Sequence, residues 1–420
     1  MIRLPLGRTC IAVILTVTGF PTVLSAQPRE ALPSPLSLVD VVRLANERRP
    51  EIEAARARTR AAAQRPAIVS ALPDPMVSPS LDHLPFMLNG VNMSVTVQQQ
   101  FPLSGVRQHR RVSALADVER LRAEASRTGL DVGLQAATAF LMLQERRRTQ
   151  ALVSEQIAFA RDVVTAADAR YAAGTAPQSD VLRAEVEVAR LDALARSLVS
   201  EVRGAESMLA ASLGLNPDVP MPSLQPVMIA QPPPSWPALR AALTARPELA
   251  AGRAEIARAE AEVQVMRDMY RPMAMIRTGP ASTMIDGKGW MAMVGLSLPI
   301  WRGKLRAGVA EAQAMRTMSE ADLRAMTLMI AGEAAVAVHQ VHAWRDRQNA
   351  LNTDVLPRAR MAIDPAIAGY TAGQLPLVSV IEAVQALWLV QADVIAADVE
   401  LGLAWARLGR AVGSFEEVLR

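Results

Sequence analysis

The chain writes one unit twice, and that duplication limits the folds open to it more than any other feature. Tyr171, Gly174 and Pro177 in YAAGTAPQSDVL return as Tyr370, Gly373 and Pro376 in YTAGQLPLVSVI, 370 − 171 = 199 residues later. Arg49-Pro50-Glu51 returns as Arg246-Pro247-Glu248, and Phe101-Pro102-Leu103 as Leu298-Pro299-Ile300, both at an offset of 246 − 49 = 197. The landmarks keep one order with a drift of two residues, which chance does not supply.

After each echoed turn runs a seam with steps of three and four: Val181, Ala184, Val188, Leu191, Ala195, Leu198, Val202, Ala205 and Leu209. Adding 199 gives Val380, Ala383, Leu387, Val390, Val394, Ala397, Leu401, Ala404 and Leu408, again all apolar. Such a seam belongs to a helix packed lengthwise on another helix. Before each turn lies a longer helical stretch, from Ser104 to about Ala172 without proline, and from Gly303 to about Gly369 with Pro357 and Pro365, which should kink or interrupt it. Gly174 and Gly373 suit the left-handed position that ends a helix, and Pro177 and Pro376 the first turn of the next. Each echoed stretch is therefore the tip of a helical hairpin.

Between the helices the period changes to two. Val91, Met93, Val95, Val97 and Phe101 alternate with Asn92, Ser94, Thr96, Gln98 and Gln100, and the counterpart face carries Trp290, Ala292, Val294, Leu296 and Leu298. About 11 residues is the length of a tilted strand crossing a bilayer. Weaker strands precede these at about 76–86 and 272–281, with turns at 87–90 and 282–289. Four strands cannot span a bilayer alone, because an open sheet leaves unpaired backbone in lipid, so closure needs several chains. Against this stands a soluble helical protein with two decorative hairpins.

Composition narrows the function. Hydrophobic residues make up 51% and aromatics 4%, and the formal net charge is +4. The make-up is that of long helices, with no basic face or aromatic platform for nucleic acid. No nucleophile elbow, HExxH or phosphate-binding glycine loop is present, so nothing marks an enzyme or a cofactor site. Residues 1–26 read as a secretory signal peptide, with Arg3 and Arg8 before an apolar run from Cys10 to Leu24. Cys10, the single cysteine, falls in that run, so the mature protein is expected to lack disulfides and thiol ligands. No later segment has ~20 consecutive apolar residues, so no membrane-spanning helix is expected after it.

The ordered set of RPE helix, strand pair ending in FPLSG or LPIWRG, long helix, YxAGxxP tip and seam helix resembles the TolC-type outer membrane efflux proteins, and among them the CusC/CzcC-like cation-efflux branch. The resemblance implies a mainly α fold with a small β part, built as two structural repeats (27–215 and 236–420) around a Pro-rich linker (216–235). It implies a homotrimer with a 12-stranded β-barrel in the outer membrane of a Gram-negative bacterium and a 12-helix periplasmic barrel. It also implies a periplasmic adaptor (membrane fusion protein) and an inner-membrane RND-type pump as partners, and no nucleic acid. Solutes, including heavy-metal cations, would pass to the exterior without chemistry, and no cofactor is called for. A periplasmic coiled-coil adaptor or scaffold is the competing reading, disfavoured by strands of membrane-crossing length.

By the same resemblance the tips, with Tyr171, Gly174, Pro177, Tyr370, Gly373 and Pro376, would meet the adaptor. The aperture positions are Ser379 and Glu382, with Asp180 in the first copy; as helix-start residues they also suit the helix dipole. Arg107, Arg110, Arg111, Arg302, Lys304 and Arg306 would lie at the membrane surface and attract lipid headgroups. If the apolar strand faces meet lipid, Met273, Met275, Met291 and Met293 face the lumen, where thioethers suit Cu(I) or Ag(I); methionine as filler in a Met-rich chain is the preferred reading. His83, His109, His339 and His342 have no repeated ligand spacing.

Overall fold

The computed structural model describes residues 32–82, 92–227, 232–283 and 287–415. The signal peptide, His83, Val91 and the first expected strand turn at 87–90 lie outside them. Three short helices, α1 (Leu38–Arg48), α2 (Pro50–Ala62) and α3 (Arg65–Ser70), lead into strands β1 (Met76–Asp82) and β2 (Asn92–Pro102). The long α4 (Val106–Ala172) and the returning α5 (Gln178–Ser212) complete the first set. The second set is α6 (Trp236–Leu243), α7 (Pro247–Asp268), β3 (Met273–Thr283), β4 (Gly287–Ser297), α8 (Arg302–Ala350), α9 (Leu356–Met361), α10 (Ile363–Thr371) and α11 (Leu377–Val412).

Helix α4 is unbroken over 67 residues, a rod of about 100 Å. Its counterpart is segmented where the prolines stand. A π-helical turn, Leu351–Val355, absorbs the hydrogen bond that Pro357 cannot donate, and Pro365 lies in the first turn of α10. Every seam position on α5 and α11 is buried or half-buried. The long helices lie side by side in the order α5, α4, α11, α8, so α5 and α8 form the two margins. The most apolar part of α11 would by length and composition suit a membrane span, with a mean hydropathy of 1.5. The helix as a whole packs between α4 and α8 and carries Asp393, Asp398 and Glu400, while only 22% of that apolar part is buried within the protomer.

The apolar core has three parts. Phe140, Leu141 and Leu143 of α4 pack against α1 and the end of α5. Trp405 and Leu408 of α11 pack with Ile330 of α8 and Leu239 of α6. The two tips share a third cluster around Tyr370, Leu377 and Val181. The segment expected as a linker is tied at its start: Leu36 donates to the Ser223 carbonyl and accepts from Gln225, both at 2.9 Å.

All four strands form one antiparallel sheet, in the order β1, β2, β3, β4. In the second hairpin the strand pairing runs further than expected: Ser282 pairs with Lys288 and Thr283 with Gly287, inside the stretch 282–289 expected as the turn. Strand β4 ends at Ser297, before Leu298 and Ile300, because Pro299 has no N–H to continue the ladder. At the tips the prolines also differ from expectation. Pro177 and Pro376 are the cap residues, in extended conformation, and the helices begin one residue later.

Candidate functional site

At the tips, Gly174 and Gly373 have φ of +70° and +75°, a left-handed backbone that a side chain would strain. Each glycine N–H donates to the carbonyl of the preceding repeated tyrosine, Gly174 to Tyr171 at 2.9 Å and Gly373 to Tyr370 at 3.0 Å. The two turns are equivalent in backbone but not in surroundings. Tyr171 is exposed, whereas Tyr370 is only 4% exposed and its hydroxyl has no hydrogen-bond partner. The Arg170 guanidinium lies 4.4 Å from the centre of the Tyr370 ring and donates to the Tyr370 carbonyl, joining one tip to the other. Burial pushes the Tyr370 phenol pKa up and the charge of Asp180 adds to this, outweighing Arg170. Of the three positions expected at an aperture, Glu382 is exposed, Ser379 and Asp180 half-buried, and the Asp180 charge acts on Tyr370.

The sheet inverts the usual arrangement of a soluble protein. On β2, Met93, Val95 and Val97 are exposed while Thr96 and Gln98 are buried. The exposed face continues through Val77 and Leu81 on β1, Ile276 on β3, and Trp290, Val294 and Leu296 on β4. The opposite face carries polar contacts: Ser80 and Ser94 hydroxyls meet at 2.7 Å, and Thr96 donates to the Ser78 carbonyl at 3.3 Å. Register places Met273, Met275, Met291 and Met293 on this polar face, together with Met76. Among the described residues no group of His, Cys, Asp or Glu could hold a metal ion.

At the strand-to-helix junctions, Arg110, Arg111, Arg302, Lys304 and Arg306 are exposed. Arg107 is not free in this way: its Nε donates at 2.7 Å to the Ser70 carbonyl, closing the end of α3. Arg302 lies over Tyr270 at 5.9 Å. His109 meets Asp268 at 2.7 Å and is thereby an internal tie between α4 and α7.

Two features escaped the sequence reading. The RPE landmark is a paired cap: the arginine precedes the helix, proline opens it, and the glutamate turns back onto the guanidinium. In the first copy Arg49 pairs with Glu51 at 2.5 Å, the arginine side chain 15% and the glutamate 52% exposed. In the second, Arg246 is wholly buried, pairs with Glu248 at 2.6 Å, and Glu248 also receives Arg410 at 3.0 Å. Burial raises the Glu248 carboxyl pKa, but hydrogen bonds from Arg246 and the backbone and the charges of Arg246 and Arg410 overcome it, leaving it lowered. The second feature is Arg277, whose Nη2 and Nε donate to Gln98 at 2.6 and 3.1 Å on the polar face of the sheet.

Residues 238–414 match the family described as Outer membrane efflux protein. The chain is 27% identical over 307 residues to the cobalt-zinc-cadmium resistance protein CzcC of Cupriavidus metallidurans, covering 70% of this chain and 71% of that protein. Its fold is similar to that of the outer-membrane channel OprN, with a TM-score of 0.78 and 18% identity over 90% of both chains. It is similar also to CusC, whose structures concern transmembrane channel formation, at a TM-score of 0.78 and 14% identity over 90% of this chain and 92% of that one. The duplicated helices, the single inverted sheet and these matches agree on the fold: the chain is built like the outer-membrane channels OprN and CusC, and its second half resembles the outer membrane efflux protein family.

Proposed function

We propose that three copies of this chain close a 3 × 4 = 12-stranded barrel in the outer membrane and a periplasmic helical tunnel, the exit duct of a tripartite pump for solutes that include heavy-metal cations. The observation that carries the reading is the inverted sheet, apolar and exposed on one face, polar on the other, with both margins open. Strands β1 and β4 each have one neighbour among the described residues, and unpaired strand edges are not tolerated in lipid. The helices repeat the arrangement. Their margins α5 and α8 carry exposed Val186 and Leu328, at 66% and 75%, which a neighbouring protomer would cover.

Trp290 and Trp301, both more than 70% exposed, bracket Val294 and Leu296. At ~3.3 Å per residue and a tilt near 45° the seven residues from Trp290 to the strand end at Ser297 rise about 16 Å along the membrane normal, with Trp301 beyond that end as an aromatic at the interface. The exposed basic residues after Trp301 then lie at the periplasmic headgroups. The tips around Gly174 and Gly373 would dock the adaptor, and Glu382 with Asp180 and Ser379 would line the aperture. Metal cations as cargo rest on the likeness to CzcC.

Outer membranes from a producing strain test this. A detergent-extracted, heat-modifiable trimer that conducts ions in planar bilayers is expected, together with sensitivity of a deletion strain to cobalt, zinc or cadmium. A water-soluble monomer would refute the channel; full metal resistance in the deletion strain would remove these cations as cargo.

A further inference from the structure

Register aligns Met76, Gln98, Arg277 and Met293 as one rung across all four strands, on the polar face. Gln98 is buried and its Oε1 accepts both Nε and Nη2 of Arg277, so the guanidinium is held in place by a neutral partner. No carboxylate lies within ion-pair distance of it among the described residues, unlike Arg246 or Arg410. The charge is therefore fixed but not neutralised. Arg277 is also the only basic residue of the described strands on this face, since Lys288, paired with Ser282, has the opposite parity. On β1 the acidic position, Asp82, pairs with Asn92, six residues along the strand from the Arg277 rung, about 20 Å away. That exceeds the ~8 Å screening length at physiological salt, so it does not cancel the arginine.

We propose that Arg277 forms, three times around the lumen, an electropositive station that attracts small oxyanions and carboxylate-bearing solutes passing through the barrel. This rests on the trimeric-channel reading. Within a closed barrel three guanidinia stand at one height, and low-dielectric walls concentrate their field on the axis. A planar fork with donors to spare suits carboxylate or phosphate oxygens. Met275 and Met293 lie two positions along β3 and directly across on β4 from Arg277. A bare Cu(I) or Ag(I) held by these thioethers would sit beside a fixed positive charge, so the station opposes the soft-metal use of the lumen methionines.

The test is the reversal potential of purified trimers in planar bilayers under a KCl gradient. Arg277→Glu is expected to raise the K⁺/Cl⁻ permeability ratio by about threefold or more over the wild type, Arg277→Gln to give an intermediate ratio, and Arg277→Lys to preserve the wild-type value. In the unmodified channel the chloride contribution should fall as salt approaches about 1 M, where the screening length shrinks to about 3 Å. Conducting wild-type and variant channels with identical ratios, or a wild-type ratio insensitive to salt, would overturn the station while leaving the channel intact. Wild-type trimers that never conduct would overturn the channel reading itself, and the station with it.

Discussion

Arg170 of the first tip clasps Tyr370 of the second, donating to its carbonyl while its guanidinium lies 4.4 Å from the ring centre. This one residue ties together two turns that are otherwise backbone copies of each other. Arg170→Ala should lower the local stability of the second tip by about 1–2 kcal/mol, read as faster amide exchange from Gly373 to Leu375. Tyr370→Phe should leave exchange unchanged or slower, because the hydroxyl it removes is buried without a partner. Protection of the second tip should also fall at alkaline pH. The folded phenol pKa is raised above its ordinary value of 10.0, so its contribution is complete below that value and is lost as pH climbs through the folded one.

The two RPE caps offer an internal comparison. Glu248→Gln leaves the fully buried Arg246 without its bidentate carboxylate and should cost about 3 kcal/mol or more, whereas Glu51→Gln, which removes a carboxylate half exposed to solvent, should cost less, about 1 kcal/mol. Thermal unfolding of detergent-solubilised protein measures both. The Glu248 carboxyl has a lowered folded pKa, so its contribution is present above the ordinary value of 4.5 and disappears as pH falls through the folded one. The Gln variant should therefore show a shallower loss of stability in that acid range than the wild type.

Two glycines of the sheet should respond oppositely to the same methyl group. A Cβ on Gly279 would run into the Val95 carbonyl and the Thr96 backbone, while on Gly289 it would meet nothing within 4 Å. Gly279→Ala is expected to break the β2–β3 junction that joins the two hairpins, reducing the yield of heat-modifiable trimer. Gly289→Ala should assemble normally.

Parity within β4 is open to a direct check. Val294→Lys, on the exposed apolar face, should cost about 2–4 kcal/mol near the membrane midplane and impair assembly. Met291→Lys, on the polar face, should assemble at close to wild-type yield. Equal yields from the two would reverse the assigned faces.

The helical margins make a separate prediction. Val186→Lys or Leu328→Lys should shift solubilised protein from trimer toward smaller species by light scattering, because each places a charge on a face that only a neighbouring protomer would bury. Neither should change the secondary structure measured by circular dichroism, since the side chains are exposed within the protomer.

Periodicity carried the helices and the strand faces into the sequence without ambiguity. The seam from Val181 to Leu209 and its copy on α11 were legible because a helix returns the same face every three or four residues, and β2 because its side chains alternate. The interruption of the second long helix was legible from Pro357, and its form, a π turn, was not. The RPE caps and Arg277 were invisible as interactions. Arg410 lies 410 − 248 = 162 residues from Glu248, and Arg277 lies 179 residues from Gln98, so no local pattern records either partnership.

The sequence by itself determined that a unit is made twice, where the long helices and the strands run, and which strand face is apolar, because these follow from local periodicity, proline and glycine. Only the tertiary structure decided how the copies differ: Tyr370 buried and Tyr171 exposed, the Arg246–Glu248 pair enclosed and Glu51 half exposed, two hairpins merged into one sheet. The physical reason is that burial and charge pairing depend on what is laid over a motif. Identical turns and caps acquire different roles when α8, α10 and α11 cover one set and leave the other at the surface.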